Sequence, residues 1–266
     1  MRVGVVIPAR NEERRLPLTL SSLLSQRSVK ILKVVVVDDG SNDRTAEVAK
    51  EFGAEVIKTN RKSRLNLAGT PYMARVINLG LRRLAEVDSD FTMILGADHI
   101  LPPHYLKEIT RRMMEEDVVV ASGVIRGEVV RKDIDVRGSG RVILTSWFKE
   151  LGYEYPENWG FEAWLIYKAL SMGKKVRVYK DLITRTQRET ATSPIRYYYW
   201  GKGMKALGYH PLYSLARALL IGSRDKVKGL YLIKGYFSKT DYYYDVMHYV
   251  RRYQAKLLFK SPVMLS

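Results

Sequence analysis

The chain has 266 residues, 46% of them hydrophobic, and a formal net charge of +17 from 45 Lys and Arg against 28 Asp and Glu. That length can bury a full core as one large domain or as one domain with an extension, and the absence of cysteine excludes disulfides and thiolate chemistry, as in a reducing compartment. No stretch approaches the roughly 18–20 apolar residues of a spanning helix, and the first residues enter a strand without a leader pattern, so a cytoplasmic location is expected.

Val3–Ile7 reads as a strand of β-branched residues that stops in the polar run Pro8-Ala9-Arg10-Asn11-Glu12-Glu13. Leu16, Leu20, Leu23 and Leu24 recur at helical spacing, with Pro17 near the start where proline is tolerated. Lys33–Val37 is a second strand, ending in Asp38-Asp39-Gly40-Ser41-Asn42-Asp43, and Ser41 or Asn42 can cap a helix from Thr45 to Phe52. Glu55–Lys58 is a short strand, Thr59 to Pro71 a basic polar loop, and Tyr72 to Ala85 a helix. Phe91–Leu95 is a strand running into Gly96-Ala97-Asp98-His99, and Pro102 and Pro103 open a helix to about Glu116. Val118–Val124 is strand-like, and Arg131 to Gly140 is a charged, glycine-bearing segment expected to move. A helix over Phe161 to Met172 is stopped by Gly173, Lys175–Tyr179 is a last strand, and the chain beyond Pro194 reads as helical. This alternation predicts an α/β fold with a mainly parallel central sheet and helices on both faces, over residues 1–190, plus a helical, basic, Tyr-rich extension over 191–266.

Two buried parallel strands that end in polar residues deliver functional groups to a common crevice, where ligands of open α/β sheets sit. A site for a nucleotide or a similar polar ligand follows. The charge is unevenly spread: from Asp181 onward there are 15 Lys and Arg, 5 Asp and Glu, and 12 of the 18 tyrosines. Such a region suits an anion, whether nucleic acid, a phosphorylated substrate or a membrane surface; it also suits a solvated surface in a hot or salty habitat. Leu212, Leu215, Leu219 and Leu220 have amphipathic spacing with Arg217 between them, and Tyr and Trp beside Lys and Arg form an interfacial residue set. Peripheral membrane docking, a helical cap on the sheet and a dimer contact all remain open.

The segments "VVIPARNEE" and "VVVVDDGSNDRTAEVA", followed by a strand ending near a lone aspartate, resemble family 2 glycosyltransferases of the GT-A fold over about the first 180 residues. The resemblance implies a nucleotide-diphosphate sugar donor, UDP or GDP, and inversion at the anomeric carbon. It assigns Pro8, Ala9, Arg10 and Glu12 to the base and ribose, with Glu12 alternatively capping the next helix or pairing with Arg14 or Arg15. Asp39 takes the base-contacting role, since a carboxylate accepts from a ring N–H, while Asp38 suits an Asx turn.

The family's Asp-x-Asp is here Gly96-Ala97-Asp98, with Ala97 beside the nucleotide and Asp98 left as the carboxylate for Mg2+ or Mn2+. One carboxylate with substrate phosphates and water can hold Mg2+; His99 could add a nitrogen favouring Mn2+, or be a surface histidine after a strand. Of the family's Glu-Asp pair, Glu162 matches the first member and Ala163 replaces the base. Either Glu162 takes the proton or the acceptor is an anion, such as a polyprenyl phosphate, that needs no strong base; Glu162 also suits a helix N-terminus. Arg61, Lys62 and Arg64 could meet the diphosphate, as could Arg185 and Arg188, which flank a weak match to the Gln-Arg motif of processive members. Trp147, Tyr153, Tyr155 and Trp159 lie in the acceptor region, where an aromatic face can stack on a sugar or on core neighbours.

Two other classes compete. A nucleotidyltransferase would want a glycine- and lysine-rich loop where "PARNEE" has no glycine. A nucleic-acid binder would not place carboxylates at three successive strand ends, which repel phosphate backbones.

Overall fold

A computed structural model describes residues 1–62, 67–130, 132–188, 193–240 and 243–260, with side chains to residue 256. Arg64 lies outside the described residues. The chain forms two compact units. The first comprises Met1–Leu65, Arg75–Glu154 and Gly173–Glu189; the second comprises Asn66–Ala74, Tyr155–Met172 and Thr190–Ser266.

The elements run β1 (Arg2–Ala9), α1 (Leu16–Leu24), β2 (Lys30–Asp38), α2 (Thr45–Glu51), β3 (Glu55–Lys58), α3 (Pro71–Leu84), β4 (Phe91–Ile94), β5 (His99–Ile100), α4 (Tyr105–Glu116), β6 (Val118–Ile125), β7 (Arg141–Leu144), α5 (Thr145–Glu150), α6 (Phe161–Ser171), β8 (Lys175–Thr186), α7 (Pro194–Ala206), α8 (Pro211–Gly222), α9 (Lys226–Phe237) and α10 (Met247–Lys260).

In the first unit the strands take the order β3-β2-β1-β4-β7-β6-β8-β5. The β3-β2-β1-β4 half is parallel, and β7 then runs antiparallel to both β4 and β6. Val3, Val5 and Ile7 of β1 pack with Leu16, Leu20 and Leu23 of α1 and Leu106 and Ile109 of α4 in one buried cluster. Gly4 and Val6, on the other face, meet Leu84 and Gly80 of α3. Covered on both sides, the strand needs apolar residues at every position, which is why it reads as an unbroken run rather than an alternation.

The segment expected to move, Arg131 to Gly140, leads directly into β7, a strand that the sequence reading did not include. Arg141, at its start, is 2% exposed, and its guanidinium donates to the backbone carbonyls of Arg137 (2.9 Å) and Val136 (3.3 Å). A buried arginine thus ties the preceding loop to the sheet. β8 is also longer than the apolar stretch Lys175–Tyr179, continuing to Thr186 with alternating exposed and buried residues.

In the second unit, α7 and α9 approach so closely that a Cβ on Gly201 or Gly235 would strike the opposing backbone. Asp245, ahead of α10, accepts from Trp164 Nε1 of α6 at 3.1 Å. Tyr209, Tyr213, Tyr236 and Tyr244 are all buried, so these four tyrosines fill this unit's interior rather than form an interfacial belt. No helix among the described residues is long and apolar enough to cross a membrane.

Candidate active site

Register places the strand ends. Ala9 pairs with Asp38 and Val6 with Ile94, so the segments after β1, β2 and β4 leave the sheet together. Because β2 lies on one side of β1 and β4 on the other, with the order reversing there, the crevice forms at the position expected for a ligand in this architecture.

The loops after β1 and β2 are bound to each other by the residues of the two motifs. Asn11, in the left-handed region at φ 53°, donates its N–H to Ser41 Oγ at 2.9 Å and accepts from Asn42 N–H through Oδ1 at 2.9 Å. Glu13 N–H donates to Asp43, and the Glu13 carboxylate accepts from Arg44 N–H at 3.0 Å. Glu12 N–H donates to Thr45 Oγ1 at 2.8 Å. Asp38 accepts from Ser41 N–H at 3.0 Å, three residues on rather than the two of the expected Asx turn. The α2 start is held by Asp43, whose carboxylate accepts from Thr45 N–H at 3.1 Å, and not by Ser41 or Asn42.

Asp39 is buried, with its carboxylate accepting from Thr59 Oγ1 at 2.9 Å and paired with the Arg61 guanidinium. Gly40 adopts φ +70°, and a Cβ there would lie 2.4 Å from the Arg61 carbonyl oxygen, so only glycine lets the two segments meet. Pro8 and Ala9 complete β1, and Arg10 follows, half-buried; its buried NH1 nitrogen has no partner among the described residues.

The second cluster joins the ends of β1, β4 and β8. Arg188 donates through NH2 to Glu12 Oε1 at 2.6 Å and through Nε to Asp98 Oδ2 at 2.8 Å. Gln187 orients it: its N–H donates to the Asp98 carbonyl at 2.9 Å, and its amide donates to the Arg15 carbonyl at 2.8 Å. Thr19 of α1 donates to the Ala97 carbonyl at 2.9 Å, fixing the turn that carries Asp98. Arg15 gives Glu12 a second cation at 3.3 Å. Arg185 is exposed on β8, opposite Ile100.

Gly96 is a structural requirement. Ser139 Oγ accepts from Gly96 N–H at 2.8 Å and sits 2.6 Å from His99 Nδ1, and a Cβ on Gly96 would fall 2.8 Å from that hydroxyl. His99 is 1% exposed, which corrects the surface placement, and burial aided by the Arg137 charge pushes its pKa down to about 4. It is a neutral packing residue. No group of three or more His, Asp or Glu able to hold a metal occurs among the described residues. Asp98 alone fits Mg2+, which keeps most of its water and takes one or two carboxylates plus substrate phosphates, provided that Arg188 yields its place on the carboxylate.

Glu162 and Trp159 belong to the second unit. Glu162 lies in the first turn of α6, whose N-cap Gly160 has φ 77°. Trp159 is half-buried, stacked obliquely on Tyr199 at 5.2 Å with Lys202 Nζ 4.6 Å from its ring centre. Trp147, Tyr153 and Tyr155 are buried; the Tyr153 hydroxyl bonds Thr92 at 2.8 Å and Tyr155 packs edge-on against Phe161. The residues that sequence reasoning missed are Ser139 and the partnership of Arg61 with Asp39. The "TQR" segment at the end of β8 was a signal for Gln187 and Arg188, but it did not name the residues they contact.

The family model described as Glycosyl transferase family 2 matches residues 4–172. A 4,4'-diaponeurosporenoate glycosyltransferase of Staphylococcus haemolyticus is 59% identical over 54 residues, 20% of this chain and 14% of that protein. The Staphylococcus aureus protein of the same name is 35% identical over 92 residues, 34% and 24% of the two chains. The matched stretches thus span less than a quarter of these relatives. Among solved structures, Staphylococcus aureus TarS with UDP-GlcNAc superimposes with a TM-score of 0.57 at 19% identity, over 91% of this chain and 74% of that one. Glucosyl-3-phosphoglycerate synthase of Mycobacterium tuberculosis, with Mn2+, UDP and phosphoglyceric acid, gives 0.53 at 16% identity, over 70% and 71%. The fold is that of the GT-A glycosyltransferases.

Proposed function

This chain belongs to glycosyl transferase family 2, and we propose that it moves a sugar from a nucleoside-diphosphate sugar, in the first place a UDP sugar, to an acceptor with inversion. The observation that carries the reading is that Arg188 brings the Glu12 and Asp98 carboxylates together, beside the strand end that carries the buried Asp39. UDP as donor base is supported by the nucleotides bound in TarS and in glucosyl-3-phosphoglycerate synthase.

In this reading Pro8, Ala9, Arg10 and Glu12 line the nucleoside, Arg10 contributing the donor that is otherwise unspent. Asp39 accepts from the base N–H, held in place by Thr59 and Arg61. Asp98 would hold Mg2+ or Mn2+, and the bound ion would supply charge neutralisation for the leaving diphosphate. Arg188 supplies a fixed positive charge at the same carboxylate, and the exposed Arg185 a further one. The acceptor oxygen bonds to the anomeric carbon from the face opposite the donor oxygen. The bond to that oxygen breaks, and the nucleoside diphosphate leaves with the electron pair. Glu162 takes the proton where the acceptor is a hydroxyl, and Trp159 offers an aromatic face to a sugar ring.

An anionic acceptor is favoured over a plain glycan: Ala163 stands in the base position, and the relatives' names specify acids, diaponeurosporenoate and phosphoglyceric acid. The test is the melting temperature with UDP and with GDP, each with Mg2+, Mn2+ or EDTA, because a ligand of the native state must raise it. A rise with UDP that exceeds that with GDP is expected. A larger GDP shift reassigns the base, and no shift with either overturns the donor site.

A further inference from the structure

We infer that the α8–α9 hairpin is a docking face for an anionic phospholipid surface; this extends the proposed acceptor chemistry, but is tested without it. The two helices are joined by Ser223–Asp225, and Asp225 caps α9 by accepting from Lys228 N–H at 3.1 Å. They run antiparallel. The Gly222 and Gly229 backbones touch at one end, where a Cβ on Gly229 would lie 2.7 Å from Gly222 Cα, and at the other the Tyr236 hydroxyl of α9 donates to the carbonyl of Tyr209, just ahead of α8, at 2.6 Å.

This packing fixes which residues share a face. Successive residues turn by about 100° around each helix. Ala218 and Gly222 of α8 meet Gly229 of α9, so Leu219 and Leu230 each follow an interface residue by one position. In an antiparallel pair both then project to the same side. Leu212 and Leu215 fall on the Leu219 stripe and Phe237 on the Leu230 stripe, all within about 60° of one another. All five are exposed, at 62%, 43%, 64%, 65% and 67% for Leu212, Leu215, Leu219, Leu230 and Phe237. Together they present on the order of 400–500 Å² of apolar surface, the size at which a patch marks an interaction site.

Arg217, which interrupts the stripe in sequence, turns to the opposite side among Tyr167, Tyr209 and Tyr213, leaving the exposed stripe free of charge along α8. Lys226 and Lys234, both exposed, lie at the two edges of the α9 stripe. Exposed Arg224 stands in the connection.

An apolar stripe bordered by cations is the composition of a helix that lies in a lipid interface. Charge decides against a second copy as the occupant. The last 86 residues carry 15 Lys and Arg against 5 Asp and Glu, and face-to-face pairing would oppose Arg224, Lys226 and Lys234 to their equivalents. An anionic headgroup layer satisfies both features at once.

The test is co-sedimentation of the full chain with vesicles of phosphatidylcholine, or of phosphatidylcholine and phosphatidylglycerol in equal parts. Binding to the anionic vesicles, weakened by salt, is expected, with the partition constant falling about 10-fold or more in Leu219→Gln/Leu230→Gln and the UDP melting shift unchanged. No binding to anionic vesicles, or binding unaffected by the double substitution, overturns the inference. So does a concentration-dependent dimer that the same substitution abolishes. A vesicle-binding protein with no UDP shift would keep the face and remove the donor site instead.

Discussion

Replacing Arg188 by glutamine removes a cation that contacts both Asp98 and Glu12, and the consequence for nucleotide binding can be sized. Its nitrogens lie 2.8 and 2.6 Å from the two carboxylates, which are 15% and 5% exposed while the arginine side chain is 51% exposed. A charge-assisted bond is worth roughly 1.5–3 kcal/mol when sheltered, and screening at a half-exposed guanidinium reduces this to about 1 kcal/mol per bond. An incoming diphosphate charge about 6 Å from a bare carboxylate is repelled by about 3 kcal/mol at an effective permittivity near 20. Arg188 cancels much of that, so Arg188→Gln weakens UDP binding in EDTA by about 1.5–2.5 kcal/mol, or roughly 10–70-fold.

Mg2+ reverses the order. In the parent protein the ion must displace Arg188 from Asp98, at about 1 kcal/mol; in the variant it need not, so Mg2+ binds the UDP complex about 5-fold more tightly and the UDP defect shrinks as Mg2+ saturates. Isothermal titration calorimetry with UDP, at several Mg2+ concentrations, reads both. An unchanged UDP affinity in EDTA, or a defect of equal size with and without Mg2+, would refute the competition of arginine and metal for one carboxylate.

Three further outcomes are expected. His99 has its pKa lowered to about 4 by burial, so the unfolded chain binds its proton first; stability is full above about pH 6.5 and is lost as pH falls towards 4, amounting to about 2 kcal/mol at pH 5. Urea unfolding of His99→Asn should show a shallower loss over that window, and equal slopes would reject the assignment. Gly96→Ala forces Ser139 from its bonds to Gly96 N–H and His99, costing about 1–3 kcal/mol; differential scanning calorimetry should show a lowered melting temperature that Ser139→Gly partly restores. Glu162→Gln should reduce kcat at least about 100-fold with a hydroxyl acceptor and leave the UDP affinity unchanged, whereas equal turnover would remove Glu162 as the base.

The parallel half of the sheet was legible because it is buried on both faces. Val34–Val37 and Val3–Ile7 have no solvent side to force an alternation, so composition alone marks them as strands. The helical spacing of Leu212, Leu215 and Leu219 marked α8 within a stretch that read only as helical overall. β7 was not legible, because Arg141 reads as loop chemistry; its charge is absorbed by two carbonyls that only the folded 136–141 segment supplies. The pair of Asp39 and Arg61, and the reach of Arg188 to Glu12 and Asp98, join residues that are far apart in sequence. No local pattern records such partners. The sequence motif named Asn11, Glu13, Ser41 and Asp43 only by resemblance, whereas their reciprocal bonds supply a physical reason for each: they hold two strand ends at one height.

The missing carboxylate at position 96 and the arginine at 188 act together as one charge balance. An acidic side chain at 96 would need the space that Ser139 fills, and Ser139 is fixed by Gly96 N–H and His99 while its neighbour Gly140 is held by Tyr105, whose hydroxyl donates to the Gly140 carbonyl at 2.7 Å. The departure from Asp-x-Asp is therefore built into a packed corner of the first unit and could not be restored by one substitution. Three carboxylates facing a diphosphate would demand a divalent ion before any donor could approach. Two carboxylates met by Arg188 and Arg15 already stand near neutrality, so the proposed donor is expected to enter without the ion and to gain further from its presence. On the proposed function we expect a graded metal dependence: an ion that competes with Arg188 for Asp98 should raise affinity and turnover by a finite factor, where an intact pair of aspartates would make it obligatory.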